Sequence, residues 1–168
     1  QAMPGAGEWM IFNRSHYEAV LAERLLKDAP AAKRFWQARY RTINAIEKHW
    51  HDSGTRIIKV WLHQSEAEQK ERLLKRLDEP RKRWKFDPSD LDTFAQREPY
   101  LDAMADMVEA TSREVAPWHL IPADNKAHAR AAVAGILLKQ LQELAPDYPD
   151  SDPALDARYR ALLTAKAE

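Results

Sequence analysis

The sequence predicts an α/β protein with a parallel sheet. Short apolar or β-branched runs at residues 9–12, 56–63 and 116–122 alternate with longer segments in which apolar residues recur at helical spacing. This alternation of strand and helix is typical of parallel sheets that helices cover. Because ligands bind beyond the carboxyl ends of such strands, the polar residues that follow each run are the first candidates for a functional site.

The composition is that of a globular chain with one buried core. Its 168 residues are 45% hydrophobic and 31% charged, and no cysteine is available for disulfides or thiolate metal sites. The 26 basic and 26 acidic residues cancel, so we expect neither nucleic acid nor a membrane as a partner. We expect neither a signal peptide nor a bilayer-spanning segment, and the expected location is cytoplasmic.

The amino-terminal run at residues 9–12 has the length and content of a strand buried on both faces. Asn13 and Arg14 would then stand at its carboxyl end. An Asn oxygen there can bind a hydrated Mg²⁺, and the planar guanidinium of Arg14 suits a phosphate. An equally good interpretation is a strand end that Asn13 or Ser15 caps before a helix. Helical spacing predicts that helix over residues 17–28.

The middle of the chain predicts a helix, a strand and a further helix. The helix covers residues 31–50, with an apolar stripe that ends at Ile46. The strand covers residues 56–63. Ser65 then opens a capping box at the start of a helix over residues 66–77.

The third strand is predicted at residues 116–122, between helices at residues 98–114 and 127–144. His63 and Asp124 then lie at the carboxyl ends of the second and third strands. A single His at a strand end is more often a hydrogen-bonded structural residue than a catalyst.

Residues 70–85 form the most basic segment of the chain, with eight basic and three acidic residues. The proline-bounded stretch at residues 80–88 lacks helical or strand periodicity and is predicted to be a loop that carries Arg81, Arg83 and Lys85. Loops over the carboxyl edge of an α/β sheet often act as lids. The alternative is a solvated basic surface.

The remaining segments of the sequence are less informative. A short helix is predicted to start at Ser89. Residues 147–168 are predicted to be an acidic, proline-rich tail, in which residues 155–166 allow a short helix.

Together, the strand ends and the basic loop describe a site for a polyanion. Asn13-Arg14, His63 and Asp124-Asn125-Lys126 would line the edge of the sheet. Phosphoryl transfer requires positioning and charge neutralisation, which these cations and one metal-binding oxygen supply. The chain has only four glycines, and none opens a G-x-x-x-x-G-K-[ST] phosphate-binding loop.

The same residues resemble the polyphosphate kinase 2 family, in order from about Gly7 to Pro149. The resemblance rests on five blocks: Ile11-Phe12-Asn13-Arg14-Ser15-His16-Tyr17-Glu18 with Val20-Leu21; Gly54-Thr55-Arg56-Ile57 with Lys59; Leu62-His63 with Ser65 and Gln69; Trp84-Lys85-Phe86; and Ala116-Pro117-Trp118 with Ile121-Pro122-Ala123-Asp124 and Lys126. Members of this family are P-loop kinases with a three-layer α/β/α core and a helical lid. They move phosphate between inorganic polyphosphate and nucleotides with Mg²⁺.

The resemblance implies roles for individual residues. Asn13 resembles the family's Walker B residue near the Mg²⁺, and Arg14 resembles its phosphate-contacting neighbour. The segment at about residues 78–98 is similar to the lid. The implied phosphate-binding residues are Arg14, Arg81, Arg83, Lys85 and Lys126, and of these Arg14 and Lys85 are the implied catalytic residues.

One departure from the family concerns the phosphate-binding loop. The family's Walker A strand and loop precede the region where this chain starts, so residues 1–146 are expected to be the later part of the domain. We therefore expect these residues alone to transfer no phosphate. We also expect the protein to be a homo-oligomer.

The leading hypothesis is a polyphosphate-dependent kinase that converts AMP or ADP, or another nucleotide, to the next higher phosphate. A second hypothesis is a polyanion-binding module that is catalytically incomplete or is completed by a partner chain. A third is a helical nucleic-acid binder that uses the basic segments with Trp36 and Trp84, and the zero net charge disfavours it.

Overall fold

Two parallel strands and six α-helices form the part of the chain that the computed structural model describes, residues 3–148 and 150–165. The strands are β1 (Lys59–His63) and β2 (Trp118–Pro122). The helices are α1 (Lys33–Asp52), α2 (Glu66–Asp78), α3 (Ser89–Ala95), α4 (Arg97–Thr111), α5 (Lys126–Leu144) and α6 (Pro153–Ala165). Short 3₁₀ helices cover His16–Val20, Ala22–Leu25 and Arg83–Lys85. No described helix is long and apolar enough to cross a membrane.

The predicted parallel pairing is confirmed for the second and third predicted strands. Lys59 lies opposite Trp118, and the register continues to His63 opposite Pro122. The ladder is shorter than the sequence runs, because it begins only at Lys59 and Trp118. Three helices, α2 to α4, separate the two strands along the chain, as expected for parallel neighbours.

Packing divides the chain into two compact units, residues 1–133 and 134–168. The first unit contains both strands and the hydrophobic core. The second contains the end of α5 and α6, and every residue of α6 is exposed. The short helix predicted at residues 155–166 is present as α6, while Pro149 and Lys166 lie outside the described residues.

The predicted buried strand at residues 9–12 is wrong. This segment has no regular structure, and Trp9 and Ile11 are 57% and 87% exposed. An apolar run forms a strand only where a neighbouring strand pairs with its backbone, and among the described residues β1 and β2 pair only with each other. Asn13 and Arg14 therefore do not follow a strand.

The predicted helix at residues 17–28 is replaced by two 3₁₀ helices. The hydroxyl oxygen of Ser15 accepts a hydrogen bond from the Tyr17 N–H at 3.4 Å and caps the first of them. In 3₁₀ geometry, side chains three residues apart lie in line. Tyr17 and Val20 are therefore buried together, although the turn is too tight for an α-helix.

Helix α1 buries one stripe, formed by Trp36, Tyr40, Ile43 and Glu47. These residues are three or four positions apart and so share one face of the helix. Ile46, which the sequence placed on this stripe, is 41% exposed. It lies about 100° around the helix from Glu47, and the charged residue takes the buried position.

A charged pair lies inside this core. The Lys59 Nζ is 2.7 Å from Glu47 Oε2, and it donates at 2.8 Å to both the Tyr17 hydroxyl and the Thr111 backbone oxygen. The Tyr17 hydroxyl donates in turn to Glu47 Oε1 at 2.8 Å. All three protons of the Lys59 ammonium therefore have an acceptor.

The pKa shifts in this cluster follow from the same contacts. Burial alone would raise the pKa of Glu47, but contacts with His16, Lys59 and Tyr17 outweigh it and hold that pKa below its ordinary value. Burial raises the pKa of Tyr17, so its hydroxyl keeps the proton that it donates. The Glu47 carboxylate is therefore charged at neutral pH and depends on its partners.

We expect Lys59→Met to lower the free energy of unfolding by about 3–5 kcal/mol at neutral pH, because it leaves the buried Glu47 carboxylate without its partner. Since the folded-state pKa of Glu47 is lowered, its stabilisation is complete above the unfolded value of 4.5 and is lost as the pH falls through the folded value. The cost of Lys59→Met should therefore shrink at acid pH. Urea unfolding at neutral and acid pH measures both effects.

Lys48→Met is the matched control for this substitution. Lys48 also pairs with a carboxylate, that of Asp52 at 2.7 Å, but its side chain is 66% exposed. Water screens an exposed pair, so this substitution should change the stability little at either pH. Equal losses from both substitutions would contradict the account of the buried pair.

Candidate functional site

The carboxyl ends of the two strands are joined directly. The Ala123 N–H, just after β2, donates to the His63 oxygen at the end of β1 at 2.6 Å. Asp124 Oδ1 accepts from the Ser65 N–H at 2.8 Å, and the Ser65 hydroxyl oxygen accepts from the Glu68 N–H at 3.2 Å to cap α2. The hydrogen bonds from Ser65 are the main cause that lowers the pKa of Asp124. The sequence correctly placed His63 and Asp124 at one edge of the sheet.

Arg72 holds this edge together from α2. Its Nη2 donates to the backbone oxygens of Ala123 and Asp124 at 2.9 and 3.3 Å, and its Nε donates to Glu68 Oε1 at 2.6 Å. The i,i+4 spacing of Glu68 and Arg72 predicts their ion pair. The backbone contacts could not be read from spacing, because they join residues about fifty positions apart.

Two clefts open at this edge, beside α2, α3 and α4. The first has a volume of about 230 Å³ and is named here the Tyr100 cleft. The residues that line it include Trp61, His63, Gln69, Thr93, Arg97 and Tyr100. The second, of about 220 Å³, is named the Asp90 cleft and is lined by Gln69, Arg72, Arg76, Asp90 and Thr93 among others. The shared Gln69 and Thr93 make the two clefts neighbours.

The arginines in these cleft walls are already bonded. Arg97 donates to Gln69 Oε1 and to the Gln64 backbone oxygen, each at 2.6 Å. Arg76 donates to Asp90 Oδ2 at 2.8 Å. These arginines shape the clefts, and sequence reasoning missed them because they lie inside helical patterns whose charged positions read as solvent-facing.

Arg14 is close enough to Tyr100 for its charge to affect the pKa of the Tyr100 hydroxyl. Its guanidinium is exposed and lies 2.7 Å from Glu18 Oε2. Its backbone φ is 69°, in the left-handed region that residues with a Cβ rarely adopt. Burial raises the pKa of the Tyr100 hydroxyl, Glu18 adds to this shift and Arg14 opposes it. Both charges are therefore within electrostatic reach of a residue that lines the cleft.

The basic loop between α2 and α3 is ordered by its ends. The Asp87 carboxylate accepts from the Ser89 N–H and hydroxyl at 2.8 and 2.6 Å, and the Arg76–Asp90 pair ties α3 to α2. The Arg83 guanidinium lies 5.3 Å from the Phe86 ring centroid, and the Lys85 ammonium lies 5.2 Å from that of Trp84.

Three of the four cations of this loop have no carboxylate partner among the described residues. Lys82 pairs with Glu79 at 2.7 Å. Within residues 3–148 and 150–165, no carboxylate lies within ion-pair distance of Arg81, Arg83 or Lys85, and all three are exposed. The loop therefore presents three free positive charges to solvent.

Lys126 and Asn13 are the remaining predicted site residues. Lys126 begins α5 directly after the edge and is exposed, and Asn125 caps this helix by accepting from the Ala127 N–H at 3.0 Å. Asn13 is exposed beside Arg14. The described part of the chain has no group of three His, Cys, Asp or Glu side chains that could hold a metal ion.

The structure brings only some of the predicted site residues together. His63, Asp124 and Lys126 lie at the edge of the sheet, and the charge of Arg14 reaches Tyr100 in the adjacent cleft. A parallel α/β core with an exposed cation, Lys126, directly after the carboxyl edge of its sheet is typical of an anion-binding α/β protein.

Comparison with proteins of known sequence identifies the family within this class. The Polyphosphate kinase 2 family profile matches residues 1–149. The chain is 40% identical over 176 aligned positions to an ADP-polyphosphate phosphotransferase of Rhodopseudomonas palustris, covering 99% of this chain and 60% of the relative. It is 43% identical over 154 positions to an AMP/ADP-polyphosphate phosphotransferase of Meiothermus ruber, covering 92% of this chain and 57% of the relative.

Solved structures agree. The crystal structure of polyphosphate kinase 2 from Arthrobacter aurescens superposes with a TM-score of 0.85 at 41% identity, covering 97% of this chain and 57% of that one. A putative polyphosphate kinase 2 from Pseudomonas aeruginosa gives a TM-score of 0.78 at 33% identity, with 87% and 31% coverage. The chain belongs to the polyphosphate kinase 2 family. It spans about 60% of the length of the two curated relatives described above.

Proposed function

We propose that the whole protein is a polyphosphate-dependent nucleotide kinase, which transfers phosphate between inorganic polyphosphate and AMP or ADP. The observation that carries this proposal is the set of exposed, unneutralised cations on the α2–α3 loop of a chain that belongs to this family. The similarity to relatives named AMP/ADP- and ADP-polyphosphate phosphotransferases supports the choice of substrates.

The proposed roles follow from the needs of phosphoryl transfer, which are positioning and stabilisation of negative charge. Arg14 and Lys85 stabilise the transferring phosphate and are the proposed catalytic residues. Arg81, Arg83 and Lys126 bind further phosphates of the chain. The segment at about residues 78–98 serves as a lid on a P-loop kinase core of three layers.

Mg²⁺ enters this proposal with the substrates. It is commonly held by one or two protein oxygens together with substrate phosphates, and it neutralises their charge when bound. The Asn13 amide oxygen is suited to contact such an ion directly or through water. Because this oxygen carries no net charge, the substrate phosphates supply most of the charge that holds the ion.

A second proposal concerns residues 1–168 by themselves. They contain no glycine-rich phosphate-binding loop, so they supply cations without the backbone N–H cradle that holds transferring phosphates in P-loop enzymes. In isolation these residues form a polyanion-binding part without transferase activity.

One assay tests both proposals. The whole open reading frame and residues 1–168 alone are incubated with polyphosphate, Mg²⁺ and either AMP or ADP, and the nucleotide products are measured. We expect ADP or ATP formation from the whole protein and none from residues 1–168. An inactive whole protein would contradict the proposed kinase activity. Equal activity of both would contradict the incompleteness of residues 1–168.

In the whole protein, Arg14→Ala should lower kcat/KM by about 10²-fold or more, because a guanidinium aimed at developing phosphate charge is lost. The melting temperature should change little, since this side chain is exposed. Arg34→Ala is the control, as Arg34 is also exposed and lies in the first turn of α1. Near-normal turnover with a lowered melting temperature would show that Arg14 is structural.

Neutralising Arg81, Arg83 and Lys85 together to Gln should raise the KM for polyphosphate and flatten its salt dependence, because exposed anion contacts are screened by salt. A triple Gln variant at Lys33, Arg34 and Arg41 has the same change in net charge, and these residues are exposed on α1. If both triple variants behave alike, the loop acts only through the overall charge of the protein.

A further inference from the structure

The buried hydroxyl of Tyr17 has no part in the chemistry proposed above. Tyr17 is 5% exposed, and its hydroxyl donates to Glu47 and accepts from Lys59 at 2.8 Å each. These two bonds connect the first 3₁₀ helix to α1 and β1. Because Tyr17 lies only three residues after Arg14, they anchor the chain close to the proposed phosphate contact.

The turn between these residues transmits that anchoring. The Glu18 N–H donates to the Ser15 backbone oxygen at 3.1 Å, and the Tyr17 N–H donates to the Ser15 hydroxyl oxygen at 3.4 Å. The Arg14 guanidinium is held by Glu18 Oε2 at 2.7 Å. Arg14 is thus tied to the anchored turn through both its backbone neighbour and its side chain.

The backbone of Arg14 needs such an anchor. A φ of 69° is unfavourable for a residue with a Cβ and persists only where the surroundings hold it. The Arg14 side chain is exposed, so burial in the core does not hold it. The nearest buried, hydrogen-bonded side chain that follows it is that of Tyr17.

We infer that Tyr17 is a positioning residue: with Glu47 and Lys59, its hydroxyl fixes the turn that presents Arg14. The effect on catalysis rests on the proposed function, whereas the effect on the turn does not. A residue of this kind acts through the geometry of another group, so its loss disturbs turnover more than substrate binding.

Tyr17→Phe in the whole protein isolates the hydroxyl. The ring can stay in its edge contact with Trp118, whose centroid is 4.8 Å away, while both hydrogen bonds are lost. We expect kcat to fall by about tenfold, with the KM for polyphosphate changed less than about twofold, because Arg14 keeps its charge and loses its orientation.

Tyr40→Phe is the matched control. Tyr40 is buried in the same core, 6% exposed, but its hydroxyl accepts from Arg24 at 3.1 Å and has no link to Glu47 or Lys59. Its kcat should stay within about twofold of the wild type. Equal falls in kcat for the two variants, or a change confined to KM for Tyr17→Phe, would overturn the inference.

Amide hydrogen exchange gives a readout that is independent of activity. Tyr17→Phe should accelerate exchange at the Tyr17 and Glu18 amides by about tenfold, and Tyr40→Phe should not. Unchanged exchange at both amides would overturn the inference. If the wild-type protein transfers no phosphate, the proposed function fails, and the exchange result alone decides whether Tyr17 fixes the turn.

Discussion

The ion pair between Glu47 and Lys59 is the contact on which the rest of the core depends. Removing each charge from water costs several kcal/mol, so the pair is tolerated only because its polar atoms are bonded. The acceptors come from separate segments: Glu47 from α1, Tyr17 from the first 3₁₀ helix and Thr111 from the end of α4. These segments must therefore come together around Lys59 before its burial becomes favourable, which makes the arrangement specific.

The buried pair and the candidate site lie at opposite ends of β1. Lys59 is the first residue of β1, and His63 at its other end lines the Tyr100 cleft. Four steps along a strand span about 13 Å. The buried charge of Lys59 thus fixes one end of β1, and the other end of the strand forms part of the carboxyl edge of the sheet. The Lys126 ammonium at this edge is exposed, whereas the charges of the core pair are bonded to each other.

The sequence predicted the elements that depend on neighbouring residues in the chain. It missed the features that depend on contacts between residues far apart in the chain. Ser65 and Glu68 predicted the start of α2, and β-branched content predicted β1. The strand at residues 9–12 was wrong, because an apolar run carries no information about which strand will pair with it. Glu47 was missed because apolar periodicity counts a buried carboxylate as a break in the stripe, although its position continues the stripe.

The site shows the same division between local and distant causes. His63 and Asp124 were predicted because parallel strands end at one edge, a rule that needs only strand boundaries. The basic loop was predicted from charge and prolines. Arg72 and Arg97 were not, since their acceptors are backbone and amide oxygens far away in sequence. Contacts of that kind have no periodic signature.

The zero net charge conceals how differently the cations are used. Arg72 and Arg97 donate to acceptors in the protein and hold the clefts in shape, whereas three of the four loop cations have no carboxylate partner among the described residues. Arg14 belongs to neither group. It has a carboxylate partner, Glu18, but that partner is only four residues away and the pair is exposed. Such a pair contributes little to stability, and a phosphate offers the guanidinium a stronger, bidentate partner. Because the Arg14–Glu18 pair is exposed, Glu18 would compete only weakly with a polyanion for the guanidinium that we propose binds phosphate.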